Sequence, residues 1–394
     1  MNANLLCIGD VLMQKKFNKL LFIIFSSIFL LLACSGEKND SYQIGIKHYN
    51  NGKYTEAISA FESAISFDKT NVDYYIDLAM SYIELGQYET ALEQFGFALE
   101  LDPENQKIHR GLGIAYLGVA DYEKSLSSFA NALSYARGKV GDLEFDILDY
   151  RGIAEVKSKM YAEAIDTYTI LIDIDYHTSE HYYLRGNVYL LLDDLESAGN
   201  DFEKAIELAP SNYKIYLDVY QGLYKSYPDD AKKYLERALL ADPPKKDDHL
   251  NLGKIYFYLE DYENSITILT KAKENGDSEA ILFLGKIYSH VGNHTQALLS
   301  FQEYLESNPY DGDVYNEIGL LKLESSEYTE ALTYFQNGID CNDLSSLKEL
   351  EFNEAITYEY LGDFDTAFIK ISDYIATYPD DATALREYDF LKTR

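Results

Sequence analysis

Two segments of this chain, "YYIDLAMSYIELGQYETALEQFGFALELDP" (74–103) and "YYLRGNVYLLLDDLESAGNDFEKAIELAP" (182–210), run in one frame. This self-similarity constrains the fold more than any other feature. A recurring short unit cannot bury its apolar face alone and must stack on its neighbours. Ten copies begin near residues 38, 72, 106, 145, 179, 213, 246, 278, 312 and 348. Each carries two small residues at matched places. The first place holds Gly45, Ala79, Gly113, Gly152, Gly186, Gly253, Gly285, Gly319 and Ala355, with Tyr220 as the exception. The second holds Ala57, Ala91, Ser125, Ala164, Ala198, Ala231, Ser265, Ala297, Ala331 and Ala367. Antiparallel helices approach closely only where neither projects a large side chain, so glycine is expected to face alanine at each crossing.

Aromatic residues flank those places, Tyr82, Tyr116, Tyr189, Tyr256 and Tyr288 in first helices and Phe61, Phe95, Phe129, Phe202, Phe301 and Phe335 in second ones. Gly52, Gly86, Gly292 and Gly362 stand where a first helix should end in a left-handed cap. Pro103, Pro210, Pro243, Pro309 and Pro379 lie just past second helices, where they stop a helix without straining it. This frame resembles the tetratricopeptide repeat, with Tyr75, Tyr182, Tyr216 and Tyr315 in the place of the family's Trp. The resemblance covers residues 38–379. It implies an all-α fold, a right-handed superhelical solenoid of about ten helix-turn-helix repeats over 41–379. Residues 380–394 read as a terminal helix that shields the last apolar face. Three copies depart from the pattern and are expected to bend, hinge or meet a partner. The sixth has Tyr220 and a shortened turn, the fourth follows an insertion, and the tenth has Glu351 and Glu354 at usually apolar places.

The N-terminus reads differently. Lys15, Lys16 and Lys19 precede an apolar run, Leu20 to Ala33, too short for a bilayer span of about 20 residues. A basic region, a short apolar region and a small residue before a boundary describe an export signal. The boundary, Leu31-Leu32-Ala33-Cys34, resembles the lipobox of bacterial lipoproteins, which implies a signal peptide over 1–33 and a diacylglycerol on Cys34. Residues 34–40 then form a hydrated tether, and translation is expected to begin at Met13. Several acyl chains, at about 0.8 kcal/mol per buried methylene, hold a protein stably on a membrane. Ser35 after the lipidated cysteine implies the outer membrane where two membranes are present.

Acidic residues number 66 against 34 basic ones, for a formal charge of −32. Such a surface repels phosphate backbones, so nucleic acid is not an expected partner. In the resembling family the concave face, lined by first helices, binds peptides or helices. By frame, Ile76, Met80, Ile83, Tyr183, Asn187, Tyr224, Lys254, Phe257 and Lys286 face inward as the candidate partner-binding set. Lys254 and Lys286 hold equivalent places in adjacent repeats, and either clamp a partner's carboxylate or form ordinary internal ion pairs. Arg151 and Arg185, each before the small glycine, read as structural. His177/His181 and His290/His294 lack a third ligand for a metal, and Cys341 reads as a partly buried small residue. No nucleophile–base pair or phosphate-cradling loop is visible. The chain therefore reads as a non-enzymatic, lipid-anchored scaffold of the bacterial envelope, without cofactor or metal. The alternative is an envelope enzyme or ligand receptor with a polar site among the repeats.

Overall fold

The computed structural model describes residues 40–138, 140–244, 246–341 and 343–394. The expected signal peptide (1–33), the expected start at Met13, the expected lipidation site Cys34 and the expected tether up to residue 39 lie outside them. Every regular element described is an α-helix. The chain divides into two compact units at Leu208/Ala209, between the fifth and sixth repeats.

In the first unit, the pairs are α1 (40–50) with α2 (Tyr54–Phe67), α3 (Val72–Glu84) with α4 (Tyr88–Leu101), and α5 (Gln106–Gly118) with α6 (Tyr122–Tyr135). The fourth and fifth pairs are α7 (Asp142–Lys157) with α8 (Tyr161–Ile174), and α9 (Ser179–Leu191) with α10 (Leu195–Leu208). The second unit begins with α11 (Tyr213–Leu223) and α12 (Pro228–Leu240), then α13 (His249–Tyr258) and α14 (Tyr262–Glu274). It continues through α15 (Ser278–His290) and α16 (His294–Ser307), then α17 (Gly312–Glu324) and α18 (Tyr328–Asp340). The last pair is α19 (Leu347–Tyr360) and α20 (Phe364–Thr377), on which α21 (Ala382–Leu391) packs through Ala384 and Leu391.

The packing at each crossing differs from the expected glycine-on-alanine contact. A Cβ at Gly152 or Gly186 would lie 2.7 Å from the ring of Tyr168 or Phe202, the large residue four places beyond the small one on the second helix. Gly45, Gly113, Gly285 and Gly319 meet Phe61, Phe129, Phe301 and Phe335 in the same way. The ring, not the alanine, occupies the space that glycine leaves. The small second-helix residue instead touches backbone: Ser125 Oγ donates to Gly113 O at 2.8 Å, and Ser265 Oγ to Gly253 O at 2.7 Å. In the second repeat Ala79 stands where glycine is usual, and the Phe95 ring lies against Gly111 of the next first helix. In the sixth, where Tyr220 stands in the glycine's place, the second helix offers the buried Leu235 rather than an aromatic ring.

The left-handed turn between paired helices occurs in nine of the ten described pairs. Glycine makes it at Gly52, Gly86, Gly292 and Gly362, as expected, with φ from +70° to +79°. Ala120, Lys159, Asp193, Glu260 and Ser326 adopt the same region without glycine's freedom. The sixth pair has no such residue; Tyr224 ends α11 in a right-handed conformation, and Pro228 opens α12. The tyrosines in the family's Trp place use their hydroxyls. Tyr75, Tyr216 and Tyr315 each donate to the carbonyl six residues earlier, in the preceding loop, and His109 reaches Pro103 O in the same way.

One frame position carries a buried charge of either sign, held by partners at matched places. Arg185 makes two 2.8 Å hydrogen bonds to Asp201 on its own second helix and one of 2.9 Å to Thr169 on the preceding one. Five repeats later, Glu354 occupies the same place and bonds Lys370 at 2.9 Å and Gln336 at 3.2 Å, at the positions equivalent to Asp201 and Thr169. The two triangles share a geometry with opposite sign. Glu354 is therefore a satisfied buried carboxylate rather than a disruption. Arg151, at this place in the fourth repeat, has Thr167 where Asp201 would be and turns to Glu155 at 2.7 Å.

Candidate functional site

Consecutive first helices pack on one another in both units (α3 on α5, α5 on α7, α11 on α13, α13 on α15, α17 on α19). No two consecutive second helices approach as closely among the described residues. A stack pinched on its first helices curves toward them, so they line the inner face of each unit.

In the first unit that face is a chain of polar contacts between neighbouring first helices. Tyr42 donates to Asp77 at 2.6 Å and Tyr49 to Glu84 at 3.0 Å. Arg110 grips Asp146 with two N–H groups, lies over the Tyr150 ring at 5.7 Å, and approaches Met80 Sδ at 3.8 Å. Burial raises the Asp77 carboxyl above its ordinary range despite the Tyr42 hydrogen bond, which acts the other way. Of the predicted set, Ile76 is buried in the core between α3, α4 and α5, and Met80 and Ile83 are half-buried against it. Tyr183 and Asn187 are half-buried on α9, the Tyr183 ring 6.1 Å from Phe202.

In the second unit the inner face is aromatic. Tyr224 is 43% exposed and stacks on Tyr220, which meets Tyr258 at 4.9 Å between ring centroids. Phe257 and Tyr258 both stand edge-on to Phe283, at 5.1 and 6.1 Å. The two inward lysines flank that ring: Lys254 Nζ is 5.3 Å and Lys286 Nζ 5.7 Å from its centre. Lys254 also pairs with Glu279 at 2.5 Å. Lys286 lies near Asp313 and Glu317, whose carboxyls burial raises and the Lys286 charge lowers in part. The structure thus brings Tyr224, Lys254, Phe257 and Lys286 to one surface and places Ile76, Met80 and Ile83 between helices. Tyr258, Phe283 and Arg110 were absent from the predicted set. Comparing every inward frame position across all ten copies would have found Arg110, which stands at the place of Ile76 and Tyr183; Tyr258 and Phe283 lie off those positions.

The histidine pairs diverge. His181 is buried, its Nε2 3.2 Å from Asp149, while the His177 ring rests on Tyr176. His290 lies against Tyr262, and His294 faces Glu324 at 3.4 Å. Among the described residues no group of three or more His, Cys, Asp or Glu is placed to hold a metal ion, and no helix is long and apolar enough to cross a membrane. Cys341 is half-buried, its Sγ donating to Asn337 O at 3.2 Å; burial and nearby aspartates push its thiol pKa up, which makes it a poor nucleophile.

Comparison with known families places the repeat on the same residues. Family models described as TPR repeat and tetratricopeptide repeat match 80–119 and 49–96, and a further tetratricopeptide-repeat model matches 180–212, 249–275 and 278–311. Anaphase-promoting complex subunit 3 of Schizosaccharomyces pombe is 25% identical over 253 residues, 63% of this chain and 36% of that protein. Superkiller complex protein 3 of Mus musculus is 24% identical over 246 residues, 60% of this chain and 16% of that one. The chain thus aligns with about a third or less of these relatives' length. Among solved structures, MamA aligns at 20% identity with a TM-score of 0.40, over 46% of this chain and 96% of its own. PilW, a type IV pilus biogenesis factor, aligns at 17% identity with a TM-score of 0.45, over 52% and 92%.

Proposed function

We propose that this all-α array of tetratricopeptide helix pairs is a non-enzymatic protein-binding scaffold, tethered by a lipid on Cys34 to a bacterial envelope membrane. Its inner face would hold segments of envelope proteins, on the periplasmic side of the outer membrane where the envelope has two membranes. The observation that carries the binding half is the aromatic surface of α11 and α13, where Tyr224 is 43% exposed and Phe257 and Tyr258 are half-buried. Large apolar surface on an anionic chain is costly to leave in water and marks a place where partners bury it. The anchoring half rests on Leu31-Leu32-Ala33-Cys34 behind its short apolar run.

Each half has its own test. Cells expressing the chain are fed labelled palmitate: label should enter the wild type and not Cys34→Ser, and equal labelling removes the anchor. Cross-linked envelopes are then solubilised and the chain captured. A stoichiometric protein partner lost in Tyr224→Ala supports the scaffold. Turnover of an envelope polymer by the isolated chain, with no partner protein, would put an enzyme in its place.

A further inference from the structure

The fourth and fifth repeats of the first unit meet over polar groups at places that are apolar or aromatic in other repeats. Glu155, 1% exposed, stands at the place of Tyr82, Tyr116, Tyr189, Tyr256 and Tyr288. Tyr168 stands where Phe61, Phe95, Phe129, Phe202, Phe301 and Phe335 are. His181, 6% exposed, takes the place of the buried Tyr74, Ile108, Ile147, Ile215, Val314 and Leu350. These groups share one neighbourhood: burial, with Asp149, Glu155 and Glu180 adding to it, pushes the Tyr168 hydroxyl pKa up.

The polar atoms are poorly served there. Glu155 Oε1 accepts from Arg151, but Oε2 is buried without a partner. His181 Nε2 comes within 3.2 Å of Asp149 Oδ1, yet that oxygen receives no hydrogen bond, and His181 Nδ1 has none either. Three of the four such atoms among the described residues lie at this joint, so the cost is concentrated in one place. By contrast Lys322, at the place of Glu155 in the ninth repeat, pairs with both Glu327 and Glu330. Each buried polar atom left without a partner disfavours the closed arrangement roughly tenfold against one that water can reach.

The helices are arranged so that the joint gives on one side. α8 packs on α9 through Leu171, Leu184 and Val188, and Arg185 donates to Thr169 at 2.9 Å. On the inner face α7 and α9 approach less closely than α5 and α7, which Arg110 and Asp146 tie together. α15 and α17 also stand further apart, but over an apolar core of Phe301, Val314 and Ile318.

We propose that the first unit flexes at this joint, α9 swinging from α7 about the packed α8–α9 side and admitting water to the polar core. His109 is the internal reference. It is 7% exposed, as buried as His181, but its Nε2 lies 2.9 Å from Pro103 O. The full-length chain in detergent micelles is treated with diethyl pyrocarbonate, which acylates neutral imidazole that meets solvent, and each histidine is followed by mass spectrometry. His181 should react roughly tenfold or more faster than His109. Glu155→Leu, which copies Leu223 of the sixth repeat, should slow His181 roughly tenfold and leave His109 unchanged. Glu155→Tyr should act in the same direction. Unchanged helical circular dichroism confirms that each variant is folded, and the wild-type comparison decides the matter if neither folds. Equal rates at the two histidines, as when an internal water completes the hydrogen bonds and holds the joint shut, overturn the proposal. A His181 rate that the folded Glu155 variants leave unchanged or raise overturns it too.

Discussion

The Arg185–Asp201 pair offers a quantitative trial of how charge is carried inside this stack. The Arg185 side chain is 17% exposed and Asp201 9% exposed, and Thr169 takes a further guanidinium N–H. Arg185→Leu installs the residue found at this place in other repeats (Leu78, Leu252, Leu284) but strands a buried carboxylate. Breaking a buried pair from one side costs about 3–5 kcal/mol. Asp201→Ser, which copies Ser128 and Ser300, leaves the guanidinium short of acceptors but able to reach water along its long stem, at about 2–3 kcal/mol. The double variant removes both charges and should lie within about 1 kcal/mol of wild type, because replacing a whole buried pair is often nearly neutral. The coupling is then at least about 4 kcal/mol. A repeat array unfolds in parts, so the assay is hydrogen exchange resolved to α8, α9 and α10 rather than one global transition. Additive single effects would refute the reasoning. The triple change T169Q/R185E/D201K transplants the inverted triangle of Gln336, Glu354 and Lys370. It should recover most of the stability lost in R185E alone.

Other expectations follow from the same packing. Gly111→Ala should cost about 1–3 kcal/mol by overpacking Phe95, and Ala79→Gly in the same chain should recover part of it by letting the ring swing back; denaturant melts of the pair decide this. Lys159→Gly and Glu260→Gly remove side chains held at φ +63° and should each stabilise their turn by about 0.5–1 kcal/mol, seen as slower local exchange. Asp381 caps α21 by accepting from the Thr383 and Ala384 N–H groups and from Tyr374, which lowers its carboxyl to about 2. Its contribution is present above the unfolded carboxylate pKa, near 4, and is lost as pH falls through about 2, so exchange of α21 amides should quicken over that interval in wild type and not in Asp381→Asn.

Much of this fold was legible as text. The places of the small residues and rings set the repeat frame, because a side chain that must pack on its neighbour repeat recurs with the repeat. Gly52, Gly86, Gly292 and Gly362 marked their turns because glycine alone reaches a left-handed backbone without cost. Ala120, Lys159, Asp193, Glu260 and Ser326 make the same turn unannounced, since there the packing of two helices pays the conformational strain that the residue itself opposes. The inner face divided in the same way. Frame position placed Tyr224, Phe257, Lys254 and Lys286 on it, but it could not say that Ile76 is sealed by α5, or that Lys254 already has Glu279. Such facts depend on distances between helices that no single helix encodes. They were decided only when the repeats stacked, because burial and ion pairing belong to the interface and not to the residue.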